Sequence, residues 1–147
     1  MIEGIKQTPL KQIQDERGKV MHMLRSTDPH FEKFGEVYFS WINPGYVKAW
    51  NQHNVMTMNY AVPVGSVKVV IFDDRPQSPT CHSINEFSLN TDNYFLLTIP
   101  PHLWYGFKAE GDQGAMIVNC STIPHDPAEI LRRDPNDPFI PYSWEKS

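Results

Sequence analysis

Cysteine is scarce in this 147-residue sequence: Cys81 and Cys120 are the whole supply. Two cysteines cannot build a disulfide framework, and their separation is unlike that of a thiolate metal site. A reduced, cytoplasmic setting is therefore the expectation. Long hydrophobic runs are missing as well. The longest is "VVIF" after Lys68, far short of the ~20 apolar residues that cross a bilayer as a helix. The opening "MIEGIKQTPL" has no apolar segment of the signal-peptide kind. No membrane partner is expected. Basic clusters are absent too: 13 Lys and Arg stand against 17 Asp and Glu, a formal net charge of -4, and the signs are mixed along the chain. Nothing there tracks a phosphate backbone, so nucleic acid is not an expected partner. Internal repeats, low-complexity linkers and long stretches of helical period are also lacking.

What the sequence does contain is punctuation. Thirteen prolines and eight glycines separate short apolar stretches of strand length and composition: "GEVYFSWI", "YVKAWNQH", "NYAVPV", "SVKVVIF", "INEFSL", "NYFLLTI" and "GAMIVNCS". Short strands at such spacing predict an all-β sandwich or barrel. The length fits one domain over residues 1–147. One helix signal stands out in "HDPAEILRR". Asp126 is placed as N-cap, Pro127 suits the first helical position and Glu129 completes a capping box, predicting a short C-terminal helix ending near Arg132 and Arg133. The tail carries Phe139, Ile140, Tyr142 and Trp144, which are expected to dock on the domain.

Residues 45–65, "GYVKAWNQHNVMTMNYAVPVG", read as a strand that turns and pairs back on itself. Simple alternation puts Val47, Ala49, Asn51, His53 and Val55 on one face. Two polar residues on that apolar face either satisfy each other in a core or line a cavity.

The spacing Gly45-x5-Asn51-x-His53-x3-Thr57-x7-Gly65 resembles the first motif of the cupins, and "IPPHLWYGF" at 99–107 resembles the second. The resemblance implies a jelly-roll β-barrel. It also puts Asn51, Thr57 and Tyr105 where a cupin has metal ligands, leaving His53 alone. One imidazole does not make a zinc or iron site, so no metal and no other cofactor is expected.

Four segments in order, "DERG" (15–18), "DDRPQSPT" (73–80), "IPPHLWYGF" (99–107) and "NDPFIPYSW" (136–144), resemble the dTDP-4-dehydrorhamnose 3,5-epimerase family. The resemblance implies a sugar or nucleotide-sugar ligand, a homodimer and metal-independent proton transfer beside a 4-keto group. Carried over by motif, the family's base histidine falls on Asn51, its lysine near Met58, its acid tyrosine on Val118 and a substrate-contacting histidine on Tyr105. Asparagine, methionine and valine do not transfer protons. Three classes of function stay open: an epimerase or 3,4-ketoisomerase using His53 and Tyr105, a cupin that binds a sugar or nucleotide sugar without turnover, or a structural subunit partnering an active paralogue. Candidate binding residues are Arg17 for the phosphates, Lys48 at a family arginine position, Asn51, His102 and Glu129. Structural roles compete for several of them. Arg17 can close a turn with Asp15, Glu129 can be a cap, and Tyr105 can be a core aromatic.

Overall fold

The computed structural model describes residues 1–146. Among the described residues there are twelve strands: β1 Lys6–Pro9, β2 Gln12–Asp15, β3 Gly18–Met21, β4 Glu36–Ile42, β5 Val47–His53, β6 Met58–Val64, β7 Val67–Phe72, β8 Ile84–Leu89, β9 Phe95–Ile99, β10 Trp104–Ala109, β11 Ala115–Ser121 and β12 Ile130–Arg132. They form two antiparallel five-stranded sheets, ordered β1-β9-β6-β11-β4 and β12-β5-β10-β7-β8, with β2-β3 as a separate hairpin. This is the expected all-β jelly roll.

Alternation builds the space between the sheets. Met58, Tyr60 and Val62 of β6 face Val67, Val69 and Ile71 of β7 and Tyr105, Phe107 and Ala109 of β10 in one buried cluster. β7 is buried on both sides, which accounts for its unbroken "VVIF". Its second face lies under the C-terminal tail: Val70, Phe72, Trp50 and Trp104 pack with Ile140 and Trp144. Gly106 makes room for that layer. A Cβ there would sit 2.4 Å from the Ala49 side chain and 2.9 Å from the Trp144 ring.

Two expectations are corrected. β5 and β6 do not pair with each other; they lie in opposite sheets, so the chain between them crosses the sandwich. The C-terminal helix shrinks to one 3-10 turn, Pro127–Glu129, capped by the Asp126 side chain through the Ala128 N–H. It stops there because Ile130–Arg132 extend along the free edge of β5. The segment holding "IPPHLWYGF" contains strand β10, although tandem prolines and a positive-φ residue precede it. Among the described residues, no helix is long and apolar enough to cross a membrane.

Candidate functional site

The site begins with an irregularity in β5. Tyr105 pairs with Asn51, and Phe107 pairs with Lys48, so two residues along β10 match three along β5. The extra residue is a β-bulge, and it switches the side-chain parity of the strand. Lys48 and Asn51 therefore share the inner face with Tyr105 and Phe107. Val47, Ala49 and Trp50 pack on the outer cluster instead. Val55, expected in the pocket, lies beyond the strand and is 56% exposed.

Beyond the bulge, His53 points inward and is buried. Its Nδ1 meets Glu129 Oε2, and its Nε2 lies 2.9 Å from the Tyr105 hydroxyl. The two rings stack 5.7 Å apart at 9°. The other Glu129 oxygen accepts the backbone N–H groups of Val55 and Met56, both at 2.9 Å. Burial pushes the Glu129 carboxyl up, but the His53 bond and the two N–H bonds outweigh it and hold the carboxyl below its ordinary value. An ionised carboxylate only accepts, so the imidazole proton sits on Nδ1. Nε2 is left to accept the Tyr105 proton. Burial pushes the Tyr105 phenol well up, and the nearby Tyr38 adds to that; the polar side chains of Asn51 and Tyr60 and the Arg132 charge pull it part of the way back.

The result is an oriented relay, Tyr105 to His53 to Glu129, drawn from β10, β5 and the 3-10 turn. Glu129 was legible as a cap. Asp126 does cap the turn, which frees the Glu129 carboxylate to reach His53, 76 residues away.

Polar groups continue toward the open edge of the sandwich. Arg132 Nη1 donates to Asn51 Oδ1 at 3.3 Å. Sequence reasoning missed Arg132, whose place follows only from β12 pairing with β5. Lys48 Nζ reaches across to β4, donating to Ser40 Oγ at 3.1 Å and the Trp41 carbonyl at 2.7 Å. Its position suits ligand contact at the rim.

Other candidates fall elsewhere. Arg17 is paired with Asp15 at 2.7 Å in the β2-β3 turn and is 86% exposed, so within one subunit it closes a turn. His102 is exposed with φ 73°; its backbone N–H, rather than its ring, joins the site by donating to the His53 carbonyl at 2.8 Å. Val118 is buried but lies on the outer face of β11, between exposed Phe39 and buried Ala61. The inward residue beside it is Asn119, opposite Tyr38 and Tyr60. A cleft of about 640 Å³ lies outside the relay, lined by residues including Gly45, Val47, Lys68, Lys108 and Trp144.

The dTDP-4-dehydrorhamnose 3,5-epimerase family matches residues 1–147. The chain belongs to that family. A dTDP sugar isomerase from Desulfovibrio desulfuricans, known as a crystal structure, is 48% identical with a TM-score of 0.97, over 99% of this chain and 94% of that one. The probable low-salt glycan biosynthesis epimerase Agl13 of Haloferax volcanii is 35% identical over 130 residues, 87% of this chain and 80% of its own. The spore coat polysaccharide biosynthesis protein SpsL of Bacillus subtilis is 28% identical over 145 residues, 99% of this chain and 93% of its own.

For this member of the 3,5-epimerase family, the metal chemistry of other cupins does not fit the residues present. Both His53 nitrogens are committed to Glu129 and Tyr105, and Thr57 is buried with its backbone N–H on Thr122 Oγ1. Among the described residues, no three His, Cys, Asp or Glu side chains gather to hold an ion.

Proposed function

We propose that the protein is an epimerase or isomerase of a nucleotide-linked 4-keto-6-deoxy sugar, with Tyr105, His53 and Glu129 as its proton-transfer relay. The observation that carries this reading is the oriented hydrogen-bond chain from Tyr105 through His53 to a carboxylate held ionised by two backbone N–H groups. Family membership supplies the reaction class, and the dTDP sugar isomerase relative supplies the ligand class.

The chemistry is removal of the proton on a carbon beside the 4-keto group. The Tyr105 oxygen takes that proton as its own moves to His53 Nε2. The C–H electron pair passes into an enolate whose charge rests on the keto oxygen. The imidazolium that forms lies against the Glu129 carboxylate, which disfavours its escape to solvent. General acid-base catalysis of this kind is worth about 10² to 10⁴ in rate. Asn51, at the family's base position, lies opposite Tyr105 in the strand pair and takes no proton. Lys48 and Arg132, both exposed at the rim, suit the diphosphate.

We place the whole of residues 1–147 in one domain, acting as a cytoplasmic homodimer. Supporting the dimer, the β2-β3 hairpin stands apart from both sheets with Ile13 and Val20 exposed. The outer face of β4 presents Val37, Phe39 and Trp41. Pairing two copies would cover such surfaces and carry Arg17 toward the neighbouring site. Light scattering that shows only monomer at working concentrations would remove this part.

A binding protein without turnover is the second reading, favoured by Asn51 at the base position. Incubation with dTDP-4-keto-6-deoxyglucose in D₂O, followed by NMR, decides between them. Deuterium entering beside the keto group, and lost in Tyr105→Phe and His53→Ala, supports the enzyme. Ligand binding by thermal shift without deuterium uptake supports the binder.

A further inference from the structure

The relay occupies the sheet containing β5 and β10. The facing sheet carries a phenol that the mechanism above does not use, Tyr38 on β4. Asn119, fully buried on β11, donates from Nδ2 to the Tyr38 oxygen at 2.9 Å. The amide cannot be turned the other way, because its Oδ1 accepts the Asn59 backbone N–H at 3.0 Å. An NH₂ group in that place would oppose donor to donor. The Tyr38 oxygen is therefore an acceptor toward Asn119, and its own proton is directed elsewhere. Among the described residues, the Tyr38 hydroxyl donates to no acceptor. On the inner face, the register sets Tyr38 opposite Asn119 and Asn119 opposite Tyr60. Tyr60 in turn meets the Tyr105 ring edge-on at 6.2 Å. Asn119 Nδ2 also lies 3.9 Å from Met56 Sδ, and the Met56 N–H holds Glu129. Tyr38 and the relay thus face each other across the interior between the two sheets, near enough for Tyr38 to bear on Tyr105 and Glu129 on Tyr38; sheets in such sandwiches pack about 10 Å apart.

We propose that Tyr38, positioned by Asn119, is the acid that returns a proton to the sugar carbon on the face opposite Tyr105. The step balances. The enolate pair takes the Tyr38 proton to form the new C–H bond, and the keto group is restored. Tyr38 is left as phenolate, to be reprotonated by water, while the imidazolium releases its proton through Tyr105. A proton taken on one face and returned on the other inverts the carbon, so this assignment makes the protein an epimerase and not a same-face isomerase. Burial raises the Tyr38 phenol above its ordinary value, the Asn119 bond opposes this, and the nearby Glu36 and Glu129 carboxylates add to the rise. The group is protonated and ready to donate at neutral pH. With the acid on β4, the family's acid position on β11 is free to hold Val118, on the outer face of its sheet.

This assignment rests on the proposed enzymatic reading, and the test separates the two. Wild type and Tyr38→Phe are each incubated with dTDP-4-keto-6-deoxyglucose in D₂O, and NMR follows deuterium uptake and the inverted epimer separately. The expected result for Tyr38→Phe is uptake within about threefold of wild type, with retained configuration, and inversion slowed by about 100-fold or more. Asn119→Leu leaves the phenol in place but unheld, and should lower inversion relative to uptake in the same direction. Inversion by Tyr38→Phe at the wild-type rate overturns the assignment alone. So does loss of uptake and inversion in equal measure, which would place Tyr38 in ligand binding. A wild-type protein that takes up no deuterium overturns the enzymatic reading and this assignment with it.

Discussion

Replacing Glu129 by Gln removes a charge and, by the geometry of the site, reverses a tautomer. One carboxylate oxygen accepts two backbone N–H groups, from Val55 and Met56. A carboxamide must keep its oxygen there, since its NH₂ group would face two donors. The NH₂ group then points at His53 Nδ1, which has to become an acceptor. The imidazole proton moves to Nε2, the atom that faces Tyr105, and the relay can no longer take the Tyr105 proton. The same logic in a Ser-His-Asp triad costs about 10⁴ in rate, so deuterium uptake is expected to fall by about 10³ to 10⁴. The fold keeps both N–H bonds and loses one charge-assisted bond, about 2 kcal/mol, or roughly 4–8 °C in melting temperature for a chain of this size. Because the Glu129 carboxyl is held below its ordinary value when folded, its stabilisation is complete above that ordinary value and fades as pH falls through the folded one. The stability gap between wild type and Glu129→Gln should therefore close in acid. ¹⁵N NMR reads the tautomer directly, with the proton on Nδ1 in wild type and on Nε2 in the variant. Uptake within tenfold of wild type, or an unchanged tautomer, would refute the relay.

Two further outcomes test the frame around the site. Asp73 is buried and accepts from the Arg75 guanidinium and the Ser78 and Thr80 hydroxyls; burial pushes its carboxyl up, but these partners outweigh it and hold it far below the ordinary range. Asp73→Asn should cost about 3 kcal/mol at pH 7 in chemical denaturation, and the deficit should shrink only in strong acid, as pH falls through the depressed folded value. Trp144 is buried and lies 5.1 Å from the Trp50 ring, so Trp144→Ala should lose about 3–5 kcal/mol with the sheets intact by circular dichroism.

The fold was largely legible because most strands announce themselves by composition and turns. The site was only partly so. His53 and Tyr105 were chosen from motif position, and the structure brings them together at 2.9 Å. Face assignment along β5 failed at Val47, Ala49 and Val55. A bulge between Lys48 and Asn51 leaves no mark such as Gly or Pro in "KAWN", and alternation counted through it comes out inverted. Val118, reached by motif position, lies on the outer face of β11, and the inward neighbour is Asn119; β11 runs unbroken against β4, and the extra residue opposite it belongs to β6. Glu129 matched a capping pattern that the backbone satisfied without it. Arg132 was invisible because its position depends on a strand pairing 81 residues away in sequence.

That last kind of dependence has a bearing on how the protein is made. His53 sits in the first half of the chain, and its carboxylate partner arrives 76 residues later. On the ribosome, the jelly roll can collect most of its core while Glu129 is still in the exit tunnel or unmade. The early His53 then has an imidazole with no fixed proton and a neighbouring loop, Val55–Met56, with two unclaimed N–H groups. Turnover should therefore appear late in refolding, after β-sheet circular dichroism has recovered. The lag between the two signals times the docking of the segment from Glu129 to Trp144 onto a barrel already formed.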